Sequence, residues 1–202
     1  MKRFKMLMFL SVFGAIFAVS SISANASEVS TDEGDLEILF SEEVESEIEE
    51  NMEPVSIENP TSTYVTEDGI VVERTLTVED VEPDSNQFTT FSSLYREVNI
   101  GYTDKRMLNT ISQATLKGQW TVGLDRYQTS ATIKKWNYYN ISITNGKYTN
   151  KKTTIPKPKG NPAQAVGTAT MTSANTPTSN THDTRWTVNI KPNGSVTSSF
   201  IK

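Results

Sequence analysis

The residues able to do chemistry are few and scattered. His182 is the sole histidine and sits in "SNTHDTRW", beside Asp183 and among serines and threonines. A nucleophilic serine needs a histidine held against it and an acid to orient that histidine, and no Gly-x-Ser-x-Gly elbow occurs in the chain. His182 therefore reads as a solvated loop residue. Glycoside hydrolysis needs two carboxyls facing across a cleft, yet beyond Glu97 the only acids are Asp104, Asp125 and Asp183. With one histidine and no cysteine, zinc has no ligand set. "TDEGD" offers Asp32, Glu33 and Asp35, without the loop spacing a calcium hand requires. Phosphate-cradling glycine loops are absent. The expectation is a protein that is not an enzyme and takes no metal or cofactor.

Surface recognition remains. "RYQTSATIKKWNYYN" interleaves Arg126, Lys134 and Lys135 with Tyr127, Trp136, Tyr138 and Tyr139, and Lys147, Lys151, Lys152, Lys157 and Lys159 follow. Ammonium groups attract phosphate or carboxylate, while flat rings stack on bases or pyranose faces. The candidate polyanion- or sugar-binding residues are Arg126, Lys134, Lys135, Trp136, Tyr138, Tyr139, Lys151, Lys152, Lys157 and Lys159. The competing reading buries Trp136 and one tyrosine in a core and leaves the lysines as a solvated rim. The partner expected is an anionic cell-wall polymer or lipid surface, with no nucleic acid.

Strands and turns must position these groups. Tyr64 to Thr66, a turn through Glu67-Asp68-Gly69, and Val71 to Val78 read as a hairpin, because Gly69 adopts positive φ without steric cost. "EDVEPDSNQFTT" reads as a loop. Leu94, Val98, Ile100 and Tyr102 alternate, as do Leu116, Trp120, Val122 and Leu124, with Gly118 and Gly123 marking a bulge or close approach. Between them "TDKRMLNTISQA" allows one or two helical turns under a Thr103 cap. A strand from Ala131 reaches Ile143, and Asn145-Gly146 then predicts a type I′ hairpin with Ile143 opposite Tyr148. Pro156, Pro158 and Pro162 predict an extended, exposed loop carrying Lys157 and Lys159. "VGTATMTSA" reads as a strand and "NTPTSNTHD" as a polar loop. The last hairpin alternates through Trp186, Val188 and Ile190, turns at Pro192-Asn193-Gly194, and returns through Val196, Ser198 and Phe200.

The opening residues carry an address. Lys2, Arg3 and Lys5 precede an apolar run, and Ala24-Asn25-Ala26 before Ser27 offers a signal-peptidase cleavage site. The run is shorter than the roughly 20 residues needed to cross a bilayer, so the protein is expected to be secreted, extracellular or associated with the cell wall. Charge is then split. From Glu28 to Glu97 there are 21 acids against Arg74 and Arg96, and from Val98 onward three acids against 14 bases. Glu28 to Pro60 holds 13 carboxylates and no base, a composition that favours disorder. Yet Leu36, Leu39, Phe40, Val44 and Ile48 fall at helical spacing, so a marginal helix would form there given a partner.

The expected fold is all-β: an antiparallel β-sandwich or small barrel preceded by a signal peptide and an acidic, largely disordered arm. The organisation is 1–26 signal peptide, 27–60 acidic disordered or marginally helical arm, and 61–202 β domain. Within the last, 61–80 is a hairpin, 81–92 a loop and 93–202 the basic strands. The hairpin "TYVTEDGIVVERTLTV", the strand "GQWTVGLDRY" and the closing "RWTVNIKPNGSVTSSFIK" resemble small secreted β-sandwich proteins of unknown function from Gram-positive bacteria. That resemblance implies the fold and brings no catalytic residue. Two functions are consistent with this reading. One is a secreted interaction module adhering to an anionic surface, with the arm as shield or solubilising spacer. The other is a bacteriocin-like or toxin precursor whose acidic pro-segment is clipped near Phe88 or Phe91.

Overall fold

In the computed structural model of the chain, the residues described are 38–81, 95–109, 112–144, 146–173 and 181–201. The signal peptide with its cleavage residues Ala24, Ala26 and Ser27, the acids from Glu28 to Glu37, the loop residues 82–92, Leu94, Asn145 and the polar stretch 174–180 lie outside them. Among the described residues, helix α1 (Glu42–Asn51) is followed by β1 (Thr61–Val65), β2 (Val71–Asp80), β3 (Tyr95–Leu108), β4 (Ser112–Asp125), β5 (Ala131–Ile143), β6 (Gly146–Lys157), β7 (Lys159–Gly160), β8 (Ala163–Ser173), β9 (Thr181–Ile190) and β10 (Val196–Ile201). Every pairing is antiparallel. A curled six-stranded sheet runs β1-β2-β3-β4-β5-β7, and a four-stranded sheet runs β10-β9-β8-β6.

Alternation places the core between the sheets. Val72 and Leu76 from β2, Val98, Ile100 and Tyr102 from β3, and Leu116, Trp120 and Val122 from β4 meet Ala165, Trp186, Val188 and Phe200 from the smaller sheet. Aromatic rings fill the centre: Trp186 stacks on Tyr139 at 5.7 Å and lies 6.0 Å from Trp120. Gly118 makes room for this cluster, since a Cβ there would sit 2.4 Å from the Trp120 ring. Two of the three expected hairpins are present. Val65 pairs with Val71 across a turn in which Gly69 has φ of 81°, and Val196 pairs with Ile190 across one in which Gly194 has φ of 78°.

The acidic segment from residue 38 belongs to the same packed unit as the strands, so Pro60 is no structural boundary. Disorder does not describe residues 38–60; the helix-with-partner alternative does. Ser41 caps α1 by accepting from the Val44 amide, and Glu42, Glu43 and Glu45 occupy the first turn, where the helix dipole favours acids. Leu39, Phe40, Val44, Ile48 and Met52 are buried, and full burial of such side chains contributes about 1.5–3 kcal/mol each.

A buried charge network fixes this docking. Asp104 accepts from Arg74 Nε and Arg106 Nε, both at 3.0 Å. Arg106 also bonds the Glu45 carboxylate and, at 2.9 Å, the Leu39 carbonyl, and its guanidinium lies 4.8 Å from the Phe40 ring centroid. The same groups cap the open edge of β10. Val196 N donates to Val55 O at 2.8 Å, Arg74 Nη2 donates to Ser198 O at 3.2 Å, and Phe200 N donates to Glu45 Oε2 at 3.1 Å. Alternate backbone groups of an edge strand are thereby satisfied without a neighbouring strand.

Four local expectations are corrected. "TDKRML" is strand, not a helical turn: Tyr102, Asp104 and Arg106 alternate into the core, and charge at inward positions disguised the period of two. β5 and β6 are not a hairpin. β5 pairs with β4 and β7 while β6 pairs with β8, so the chain changes sheet between Ile143 and Gly146 and Ile143 does not face Tyr148. The proline-rich stretch is loop only in part: Pro156 and Lys157 end β6 and Lys159-Gly160 form β7, with a bend at Pro158 and a turn at Pro162, and β6 is an edge that needs no donor from Pro156. His182 stands on β9, paired with Met171, not in a flexible loop.

Candidate basic surface on strands β5 and β6

Bulges decide which side chains this surface presents. Against the even count of β4, β5 carries one extra residue between its pairs Trp120↔Trp136 and Gln119↔Tyr138, and another between Thr121↔Lys135 and Val122↔Ile133. Each extra residue lets two successive side chains face the same way. Lys134 with Lys135, and Asn137 with Tyr138, therefore point outward, while Ile133, Trp136 and Tyr139 point inward.

β6 uses the same device. Its register against β8 shifts between Thr149 and Lys152 and again between Thr154 and Lys157. Lys147, Lys152 and Lys157, five residues apart, consequently share the outer face of the smaller sheet, at intervals of roughly 15 Å along the strand. Each heads a cross-strand row: Lys147-Thr172-Thr181, Lys152-Thr168-Arg185 and Lys157-Gln164-Asn189. Asn150, at φ of 53°, makes the first bulge and donates to Thr170 Oγ1 at 3.3 Å. Beside it a shallow depression of about 590 Å³ is lined by Lys151, Lys152, Arg185, Thr168 and Asp183, the last accepting from Thr170 at 3.0 Å.

Where the sheets meet, Lys151 Nζ donates to Asn140 Oδ1 at 3.1 Å, joining the β6 edge to the outer face of β5. Lys159 on β7 pairs with Thr132 of β5 and attracts Asp125, whose carboxyl is held low first by its Thr129 hydrogen bond and then by the Tyr127 amide. The turn that Asp125 organises presents Arg126 to solvent.

The candidate set thus divides. Lys151, Lys152 and Lys157 are exposed on β6, Lys135 on β5, Lys159 on β7 and Arg126 in the turn after β4, and Lys134 is exposed but ion-paired with Glu97. Tyr138 is 48% exposed. Trp136 is half-buried against Trp120 at 5.3 Å, its Nε1 donating to Tyr138 O at 2.6 Å. Tyr139 lies inside, and burial pushes its hydroxyl up to about 12. Trp136 and Tyr139 therefore act as the floor of the site, not as stacking platforms. Arg185 and Lys117 were missed; both stand on outward strand positions, a signal that alternation alone could have supplied.

No acid occurs between Asp125 and Asp183, a span with eight lysines and arginines. The helix glutamates lie beside β10 and β1, at the edge of the smaller sheet opposite β6. The described part of the acidic segment does not shield the basic edge. Among the described residues, no three of His, Cys, Asp and Glu are grouped to hold a metal ion, and no helix is long and apolar enough to cross a membrane. Comparison of the chain with models of known families, with curated proteins and with solved structures found no match.

Proposed function

We propose that this chain is a secreted, non-enzymatic binding module that adheres through its β6 edge to an anionic polymer of a Gram-positive cell envelope. The observation that carries the reading is the common outward face of Lys147, Lys152 and Lys157, heading three rows, with Asp183, which accepts from the Thr170 hydroxyl, between the first two. Ammonium groups at a regular interval suit a chain of repeated phosphate or carboxylate groups, which lie in a line as the lysines do. A polymer is favoured over a membrane because the exposed aliphatic side chains Ile38, Val65 and Ile201 lie away from β6 and cannot insert together with its lysines. Export rests on the basic start, the apolar run and the Ala24-Asn25-Ala26 site.

The precursor reading has less support. Clipping near Phe88 or Phe91 would remove α1, β1 and β2, and with them Glu45 and Arg74 from the buried network.

The test is binding of the full exported chain to long-chain polyphosphate at rising salt. Binding should weaken as screening closes toward a Debye length of about 8 Å at physiological ionic strength. Replacing Lys147, Lys152 and Lys157 by Gln should abolish it, while Lys105→Gln, whose ammonium already pairs with Glu73, should leave it intact. Equal binding by the triple variant sinks the proposal; binding to anionic vesicles alone assigns a membrane instead. Mass spectrometry should find a chain starting near Ser27, and a start near Phe88 or Phe91 would favour the precursor.

A further inference from the structure

We infer that the outer face of β4 and β5 is a sugar subsite, so that the polymer engaged is a polysaccharide bearing carboxylates. This rests on the anionic-polymer reading and names its ligand class. Tyr138 is an aromatic ring nearly half exposed on the outer face of a strand, brought there by the bulge at Asn137 when alternation would have turned it or its neighbour inward. An open tyrosine ring on a sheet face offers a flat surface that the apolar face of a ligand can cover. The face of a pyranose ring, with its row of C–H groups, is such a cover.

The surroundings of the ring select the sugar. Directly across from Tyr138 is Gln119. One step along the strands on either side stand Lys117, opposite Asn140, and Lys135, opposite Thr121, both exposed. Neither ammonium has an ion-pair partner among the described residues, whereas Lys134, Lys105 and Arg96 each have one. Cations unsatisfied on both sides of a stacking ring fit a ring carrying a carboxylate, with successive residues meeting Lys117 and Lys135 in turn.

Hydroxyl recognition is also prepared. Thr121 Oγ1 donates to Asn99 Oδ1 at 2.8 Å, and Asn137 Nδ2 donates to Thr121 Oγ1 at 2.9 Å. Three strands thus hold a fixed amide-hydroxyl group beside the ring, and polar groups fixed before binding lose little freedom when a sugar hydroxyl arrives. From here Asn140 and Lys151 lead round to the β6 row, so one polymer chain could lie on both faces.

The experiment compares polygalacturonate with polyphosphate of matched charge, using the full chain at one ionic strength and its Tyr138→Ala and Tyr138→Phe variants. The expected result is that Tyr138→Ala weakens polygalacturonate binding about tenfold, in the range of a lost aromatic stack, and changes polyphosphate binding less than twofold. Tyr138→Phe should keep both. Tyr138 is exposed, so an unchanged urea midpoint serves as the folding control. If the wild-type chain binds neither polymer, the anionic-polymer reading itself fails. If it binds both and Tyr138→Ala leaves polygalacturonate binding unchanged, or weakens both polymers equally, the sugar subsite is overturned and the basic edge stands.

Discussion

Glu45 and Arg106 meet inside the protein, where the Glu45 carboxylate takes the guanidinium on one oxygen and the Phe200 amide, at 3.1 Å, on the other. One acidic side chain from a glutamate-rich helix thereby serves both as counter-ion to a buried cation and as a stand-in for the carbonyl of a neighbouring strand. The other glutamates of α1 need no such role to explain their number. Six of the seven from Glu42 to Glu53 lie on faces turned toward solvent or the rim, and Glu47 among them bonds the Tyr64 hydroxyl at 2.8 Å.

Glu45→Ala leaves Arg106 with one carboxylate where it had two. Breaking a buried pair from one side is costly because the remaining charge stays out of water. A loss of about 3 kcal/mol is expected, read as a lower urea midpoint with an unchanged m-value. An unchanged midpoint would mean that the helix is not held by this contact.

Asp104 links stability to pH. Burial alone would raise its carboxyl, but Arg106 and Arg74 outweigh burial and hold it below the usual carboxylate range. The unfolded chain therefore binds a proton at higher pH than the folded chain. The stabilisation is complete above the unfolded value of about 3.9 and is lost as pH falls from there through the folded value. Melting temperature should drop steeply below about pH 4, and Asp104→Asn, although less stable at neutral pH, should show a shallower drop. Parallel profiles for the two proteins would refute the assignment.

Deleting residues 38–55 should make the protein self-associate. β10 has neither charge nor proline in "VTSSFI", whereas the β6 edge is guarded by lysines and Pro156 and β7 by its two-residue length. Uncapped uncharged edges recruit other strands. Sedimentation velocity should show oligomers whose size grows with protein concentration; a monomer with native circular dichroism would contradict this.

Gly118→Ala tests the aromatic centre. The added methyl meets a buried indole at 2.4 Å that is itself wedged against Trp136 and Trp186. Overpacking of this kind costs about 1–3 kcal/mol, and near-ultraviolet circular dichroism should change with it.

Much of this architecture was legible in the chain. The Gly69 and Gly194 hairpins were visible because turn chemistry and alternation agree there. The second half of β3 was hidden, since Asp104 and Arg106 occupy inward positions where a reader expects apolar residues. Only the distant Arg74 and Glu45 explain their presence. The stretch "KKWNYYN" gave up its composition but not its geometry. Two bulges convert strict alternation into pairs of outward residues, and neither bulge has a residue signature beyond the strand it is paired with. Asn145-Gly146 misled because a turn signal does not say which sheet receives the next strand. The lysines of β6 were recognised as exposed, and their common face became apparent only from the register with β8.

The clamp between Glu45 and Phe200 spans 155 residues of chain. Contacts between remote segments form late, because the loop they close must first lose its freedom. During synthesis α1 is made early and its mate β10 among the last elements, so the apolar stripe of the helix has nowhere to settle for most of that time. Its dense glutamates then keep the waiting segment soluble by mutual repulsion.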